Sequence, residues 1–325
     1  MKKTIIMLLI VFSLMTWACK TDELSKLLRR AESGHADAQF ELGKKYAEGE
    51  GVEKDIKEAA KWYRKAAEQG HAEAQFNLAL MYKHGEGVEK NYQEAAKWNL
   101  KAAEQGHAEA QFNLALMYDT GEGVEKDYQE AIKWYRIAAE QGLSEAQLNL
   151  GVMYSLGEGM KRDYQEALKW FRKAAEQGNA RAQFNLAIMY RMGEGVKQDK
   201  QEAVTLLRKA AEQGFAEAQN ILAIMYESGE GVEKNYKEAA KWYQKAAEQG
   251  HGSAQYSLGY LYEEGNGVLQ SFEEAYFWYL LAAANGSEDA ATNRYFISLI
   301  LNEETQQRIY QRARKWLEEH KNEEE

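Results

Sequence analysis

Apolar residues recur along this chain at helical spacing, in short stripes that come in pairs. The segment after Gly70 carries the first stripe of one pair, at Ala74, Leu78, Met81 and Tyr82. The second stripe follows after a break and contains a tryptophan among alanines: Tyr92, Ala95, Ala96, Trp98, Ala102 and Ala103. The pattern predicts two amphipathic helices in succession.

Glycines and a capping residue predict where these two helices end and begin. Gly85-Glu86-Gly87 ends the first helix, because glycine adopts a positive φ without steric cost. Asn91 lies three residues before Glu94, which is the spacing of a capping box at the start of the second helix. Each pair of stripes is therefore predicted to be a helical hairpin.

The hairpin repeats every 36 residues. The string AEQG, or a close variant of it, ends at glycines that we call marker glycines: Gly34, Gly70, Gly106, Gly142, Gly178, Gly214, Gly250 and Gly286. Seven units therefore fill residues 35–286. Neither helix of a unit can bury its stripe alone, so consecutive hairpins are expected to stack into a solenoid with one continuous core.

Tryptophans are predicted to fill that core rather than to form a platform for a sugar or a cofactor. They stand at the same place in six units: Trp62, Trp98, Trp134, Trp170, Trp242 and Trp278. Paired alanines nearby allow the helices to approach closely: Ala66, Ala67, Ala102, Ala103, Ala138 and Ala139.

Several motifs of the unit resemble a known repeat. They are Leu-Ala or Leu-Gly followed by tyrosine, as in Leu78-Ala79 with Tyr82, the GEGV loop, the acidic or asparagine cap, and A-x-x-W followed by Ala-Ala and glycine. Together they resemble the Sel-one-like repeat family, the 36-residue relatives of the tetratricopeptide repeat. The resemblance implies an all-α fold, a right-handed α/α superhelical solenoid of seven 36-residue helix-hairpin repeats with helical caps. It also implies binding to other proteins, without naming a partner.

Both ends of the array are expected to be capped by helices. Residues 19–34 are predicted to hold a short linker and an N-terminal capping helix, with Leu24, Leu27 and Leu28 at helical spacing. Residues 287–317 are predicted to form C-terminal capping helices, because Arg294 stands where every unit has leucine. Residues 318–325 are predicted to be an acidic tail.

The N-terminus is predicted to direct export. Lys2 and Lys3 precede an uncharged, apolar run that ends at Ala18, so residues 1–18 have the form of a signal peptide. Cys19 follows at once, and the site resembles a bacterial lipoprotein processing site. We expect an exported lipoprotein of the cell envelope, periplasmic or on the outer membrane, anchored by lipid at Cys19. The alternative is ordinary cleavage after Ala18 and secretion without lipid.

Charge and composition narrow the function. The chain has 41 Lys and Arg against 51 Asp and Glu, a net charge of −10. A negatively charged chain has no electrostatic basis for binding a phosphate backbone non-specifically, so nucleic acid is not expected as a partner. A single cysteine cannot form an internal disulfide, so stability must come from packing.

Candidate chemistry is sparse. Four histidines share one place in their units, at His35, His71, His107 and His251. Neighbouring helix axes lie about 8 to 10 Å apart, whereas Zn–N bonds are about 2.0 to 2.1 Å, so we expect no metal and no cofactor. The sequence has no GxSxG, Walker or HExxH motif, so an enzyme is not expected. The alternative is a hydrolase acting on cell-wall or β-lactam substrates, a role discussed for cysteine-rich relatives of the family that carry a cysteine pair in each repeat.

The predicted function is a non-enzymatic scaffold or adaptor that binds a protein or peptide in its concave groove. In the parent tetratricopeptide pattern the first helices line that groove. Seven residues after the marker glycines they carry an asparagine row: Asn77, Asn113, Asn149 and Asn185. Three residues later they carry an apolar row: Leu80, Leu116, Val152 and Ile188. Amides beside apolar side chains suit an extended peptide. In the alternative interpretation, the asparagines bond to neighbouring units and the apolar row is buried.

Overall fold

The computed structural model of the protein describes residues 23–321, and all regular structure within them is helical. The bounds of the helices are α1 (23–32), α2 (Ala36–Glu48), α3 (Ile56–Glu68), α4 (Ala72–His84), α5 (Tyr92–Glu104), α6 (Ala108–Thr120), α7 (Tyr128–Glu140), α8 (Ser144–Leu156), α9 (Tyr164–Glu176), α10 (Ala180–Met192), α11 (Lys200–Glu212), α12 (Ala216–Ser228), α13 (Tyr236–Glu248), α14 (Gly252–Glu264), α15 (Phe272–Ala284), α16 (Glu288–Ser298) and α17 (Glu303–Lys321). The predicted all-α fold of seven 36-residue hairpins with helical caps is confirmed.

The GEG loop turns the chain between the two helices of each hairpin, as predicted. Gly85 has φ +75° and Gly87 has φ +68°, in the left-handed region that favours glycine. A Cβ atom at Gly87 would also overlap the carbonyl oxygen of Ile56 in the preceding hairpin. The second glycine of the loop is therefore required both by its conformation and by the close approach of neighbouring repeats.

The second helix of each hairpin begins at the predicted capping residue, but the capping box is only half formed. The side chain of Asn91 accepts a hydrogen bond from the backbone N–H of Glu94 at 3.0 Å. The Glu94 carboxylate does not return the bond to Asn91, because it pairs with Lys97 Nζ at 3.1 Å one turn on. The same pairing links Glu58 with Lys61 at 2.6 Å. A salt bridge on the helix surface thus replaces the reciprocal bond.

The chain divides into two compact units, which meet in sequence between Arg162 and Asp163. The N-terminal unit contains α1 to α8 and the C-terminal unit α9 to α17. Within each unit the helices of a hairpin pack on each other and on the following hairpin, and the last helix, α17, packs on α15. The six predicted core tryptophans and the paired alanines are all buried.

The C-terminal cap extends further than expected. We predicted that helix would end at 317, but α17 continues to Lys321, so residues 318–321 belong to the helix rather than to the acidic tail. Pairs one turn apart explain the extension: Arg314 Nε lies 2.9 Å from Glu318 Oε1, and the rings of Trp316 and His320 stack at 3.7 Å.

Candidate functional site

All eight predicted groove residues lie on first helices of the hairpins and are half-buried. The N-terminal unit holds Asn77, Asn113 and Asn149 with Leu80, Leu116 and Val152, and the C-terminal unit holds Asn185 with Ile188. Each asparagine precedes its apolar partner by three residues, so the two side chains are neighbours on one helix face. Because the side chains of the apolar row are only half-buried, the core covers only part of each one.

The four asparagines differ in their bonding. Asn149 Nδ2 donates a hydrogen bond to Tyr135 Oη of the preceding hairpin at 3.2 Å. At this position the structure matches the alternative interpretation, in which an asparagine joins neighbouring repeats. Within residues 23–321, the side chains of Asn77, Asn113 and Asn185 take part in no hydrogen bond. Of the four asparagines, only Asn149 is thus seen to join neighbouring repeats.

The contact at Asn149 belongs to a motif that recurs in the C-terminal unit. Tyr135 Oη also donates to Asp119 Oδ2 at 3.4 Å, so the hydroxyl bridges a carboxylate and an amide. Tyr279 does the same with Glu263 at 2.6 Å and Asn293 at 3.2 Å. Burial raises the pKa of both phenols, which keeps the donating proton in place. These bridges join helices and are structural.

Asparagine replaces this tyrosine in one hairpin of the N-terminal unit. Asn99 is buried at the position of Tyr63 and Tyr135, and its Oδ1 atom has no hydrogen-bond partner. The Asn99 amide lies 3.6 Å from the sulfur of Met117. Because a tyrosine hydroxyl is missing here, Asn113 has no partner of the kind that holds Asn149.

Three histidines of the row, His71, His107 and His251, cap first helices, whereas the side chain of His35 makes no capping bond. His71 Nδ1 accepts a hydrogen bond from the backbone N–H of Ala74 at 3.2 Å, and His107 Nδ1 accepts one from Ala110 at 3.3 Å. The other ring nitrogen of His107 lies 3.0 Å from Glu73 Oε2 of the preceding hairpin. These histidines start first helices and link neighbouring repeats.

The part of the chain that the structure describes holds neither a metal-binding cluster nor a membrane-spanning helix. No three His, Cys, Asp or Glu side chains come together there in a way that could hold a metal ion. None of the helices described has both the length and the apolar character needed to cross a bilayer. Cys19 and the predicted signal peptide lie outside the described residues.

A ladder of buried glutamines was not predicted. The fifth residue after each of the first seven marker glycines is a glutamine that donates its amide to the backbone of the preceding helix, as Gln111 does to Ala103 O at 3.0 Å. Its Oε1 atom then accepts a bond from the glutamine of the next AEQG string, as from Gln141 at 2.6 Å. Both glutamines recur every 36 residues, and that recurrence was the available signal.

Comparison with known proteins identifies the repeat. The profile described as "Sel1 repeat" matches seven consecutive segments: 36–71, 72–107, 108–143, 144–179, 180–215, 216–251 and 252–287. No curated protein matches the chain.

Two solved structures are similar over most of the chain. One is c5321, described as a protective antigen present in uropathogenic Escherichia coli strains displaying an SLR fold. It is 36% identical, with 93% of this chain and 72% of that chain covered and a TM-score of 0.68. The other is a Sel1 repeat protein from Oxalobacter formigenes, 37% identical, with 82% and 77% covered and a TM-score of 0.71.

Proposed function

The chain belongs to the Sel1 repeat family, and from this premise we propose that it is a non-enzymatic scaffold that binds a protein or peptide along its first helices. Sel1 repeat proteins are generally protein-interaction scaffolds. One observation carries the proposal for this chain: the amides of Asn77 and Asn113 are half-buried, make no hydrogen bond to any described residue, and stand beside half-buried leucines.

This arrangement suits an extended segment. An amide offers one acceptor and two donor positions, which match the alternating N–H and C=O groups of a peptide backbone. Leu80 and Leu116, three residues further along each helix, would cover apolar side chains of the same segment. Neither similar structure is described as a hydrolase, and no described cluster of side chains favours that alternative.

The test compares two sets of asparagines. Changing Asn77→Ala and Asn113→Ala together should weaken binding of the native partner by more than about tenfold. Each lost amide leaves a polar group of the partner without a hydrogen bond at a contact shielded from water, which costs about 1 to 3 kcal/mol. Because neither side chain bonds within the described chain, the melting temperature should stay unchanged. The partner is captured from the cell envelope by crosslinking to the full chain and is then titrated against each variant.

Asn149→Ala is the matched control, and it should behave in the opposite way. This change removes the bond to Tyr135, so the protein should melt at a lower temperature. If the Asn77→Ala, Asn113→Ala variant melts early and its loss of binding follows unfolding, the two asparagines are structural and the groove assignment is wrong.

We also propose that the protein is exported and held in the cell envelope by lipid on Cys19. The proposal rests on the position of the single cysteine directly after an apolar run with a basic start. The description of c5321 as a protective antigen supports it, because antibodies reach exported proteins.

Detergent phase separation tests the anchor. The wild-type protein should enter the detergent phase, and Cys19→Ser should move to the aqueous phase, because one acyl chain contributes about 0.8 kcal/mol for each buried methylene. A Ser33→Ala variant, changed outside the signal and the cysteine, controls for handling. Equal partition of wild type and Cys19→Ser would leave ordinary secretion as the explanation.

A further inference from the structure

Large apolar side chains are exposed on α16 and just after it. Tyr295 is 60% exposed, Phe296 58%, Leu299 67% and Ile300 61%. Tyr295 and Phe296 pack edge to face, with ring centroids 5.7 Å apart. We call these four residues the α16 patch. Exposed apolar side chains that lie next to one another mark interaction surfaces in soluble domains, whereas single exposed apolar residues do not.

Tyr295 of the patch is exposed because α16 lacks the second helix of a hairpin. In complete hairpins the ninth residue after the marker glycine is small and lies under the second helix: a Cβ atom at Gly259 would come within 2.9 Å of the Tyr279 ring. The equivalent residue of α16 is Tyr295, which faces solvent. The side of α16 that a partner helix covers in the other hairpins is therefore open.

The last helix does not fill this place, because it packs on α15 instead. Arg308 pairs with Glu273 at 2.7 Å, and Arg312 pairs with Glu274 at 2.6 Å. The Arg312 guanidinium also lies 3.8 Å from the centre of the Phe277 ring. These contacts hold α17 against α15.

The surroundings of the patch are acidic. Glu303 and Glu304 follow Ile300 within four residues, and both are exposed. Asp289 is also exposed and lies two turns before Phe296 on the same helix face. Arg294, the basic residue of α16, lines a cleft together with Tyr310 and Ala313 of α17.

We propose that the α16 patch docks an amphipathic helix of a partner protein, with basic residues flanking its apolar face. We expect a helix as the occupant, because in complete hairpins the corresponding side of the first helix is covered by the second helix. That second helix is 13 residues long. Basic flanks follow from the carboxylates around the patch. A second copy of this chain would bring those carboxylates together, and it carries a net charge of −10. Phe296 stands at the α16 position of the apolar row, but Asn77 and Asn113 lie in the N-terminal unit and are no part of the patch, so either proposal can fail alone.

The test selects helices without assuming their sequence. A displayed library of peptides of about 14 residues, randomised among Ala, Leu, Lys and Glu, is enriched on the full chain and depleted on the Phe296→Ser, Leu299→Ser variant. Enriched peptides should carry net positive charge and leucines at spacings of three and four. In fluorescence anisotropy they should bind the double variant at least about tenfold more weakly than the wild type.

Three further variants sharpen the result. Leu269→Ser is the matched control, because Leu269 is 89% exposed in the same unit but lies outside the patch, and it should bind like the wild type. Changing Glu303→Lys and Glu304→Lys together should weaken binding of the basic peptides. Asn77→Ala with Asn113→Ala should leave it unchanged, which separates this surface from the proposed groove.

Three outcomes would overturn the proposal. The first is no enrichment, or enriched peptides that bind the double variant as well as the wild type. The second is enrichment of peptides with net negative charge. The third is a dimer in sedimentation velocity that Phe296→Ser with Leu299→Ser dissociates, because the patch would then be covered by a second copy of the chain.

Discussion

A single glycine decides how closely two neighbouring hairpins approach. Gly123 has φ +75°, and a Cβ atom there would overlap the backbone carbonyl of Tyr92 in the preceding hairpin. Gly142 has φ +97°, and no atom lies within 4 Å of the place its Cβ would take. The two glycines thus share a backbone constraint but differ in their surroundings.

Alanine at these two positions should therefore have unequal effects. Gly142→Ala should cost about 1 to 2 kcal/mol of unfolding free energy, from the left-handed conformation alone. Gly123→Ala should cost a further 1 to 3 kcal/mol or so, because the backbone of a neighbouring hairpin must move. Urea denaturation of both variants measures the difference, and equal losses would show that the loop relaxes without strain.

The asparagine row shows how far a residue pattern can be interpreted without a structure. Its spacing placed all four side chains on first helices, and the structure agrees. The bond from Asn149 to Tyr135 could not be foreseen, because it depends on how one hairpin is set against the next. Identical residues at equivalent positions of the repeat therefore differ in their contacts. Asn149 bonds to a tyrosine of the preceding hairpin, whereas the hairpin before Asn113 has Asn99 in place of that tyrosine.

At the scale of the element, hairpins were predictable because helix period, glycines and caps all agree within each unit. The glutamine ladder was missed because a polar residue in an apolar stripe suggests no contact until the neighbouring hairpin is in place. Gln75 is 3% exposed, and its amide meets Ala67 O at 3.0 Å. Buried glutamine is tolerated here because the carbonyl oxygen of Ala67, in the last turn of the preceding helix, accepts the Gln75 amide in addition to the backbone N–H of Gly70.

The uncovered face of α16 was also beyond the sequence pattern. Loss of the repeat register at Arg294 predicted a cap, but not that the final helix would pack on α15. There α17 buries Ile309 and Ala313, and its Arg308 and Arg312 pair with Glu273 and Glu274, which lie 35 and 38 positions earlier in the chain. The helices after the last repeat depart from the 36-residue pattern, so the period of the sequence does not predict which helices they contact.

At the scale of the whole molecule, packing is local in sequence, because within each unit helices contact mainly their chain neighbours. In such arrays stability is approximately a sum of repeat and interface terms, so damage to one hairpin should spread only to adjacent ones. Leu78 illustrates the arrangement: it is fully buried in a cluster with Ala59 and Tyr63 of α3 and Trp98 of α5.

Hydrogen exchange of two matched variants should reveal this locality. Leu78→Ala leaves a cavity that costs about 2 to 5 kcal/mol, so amides of α3, α4 and α5 should exchange faster while those of α13, α14 and α15 keep their protection. Leu258→Ala, at the equivalent buried position of α14, should have the opposite effect: amides of α13, α14 and α15 should exchange faster, and those of α3, α4 and α5 should keep their protection. Faster exchange throughout residues 23–321 in both variants would mean that the chain opens as one cooperative body, and the additive description of its repeats would then be wrong.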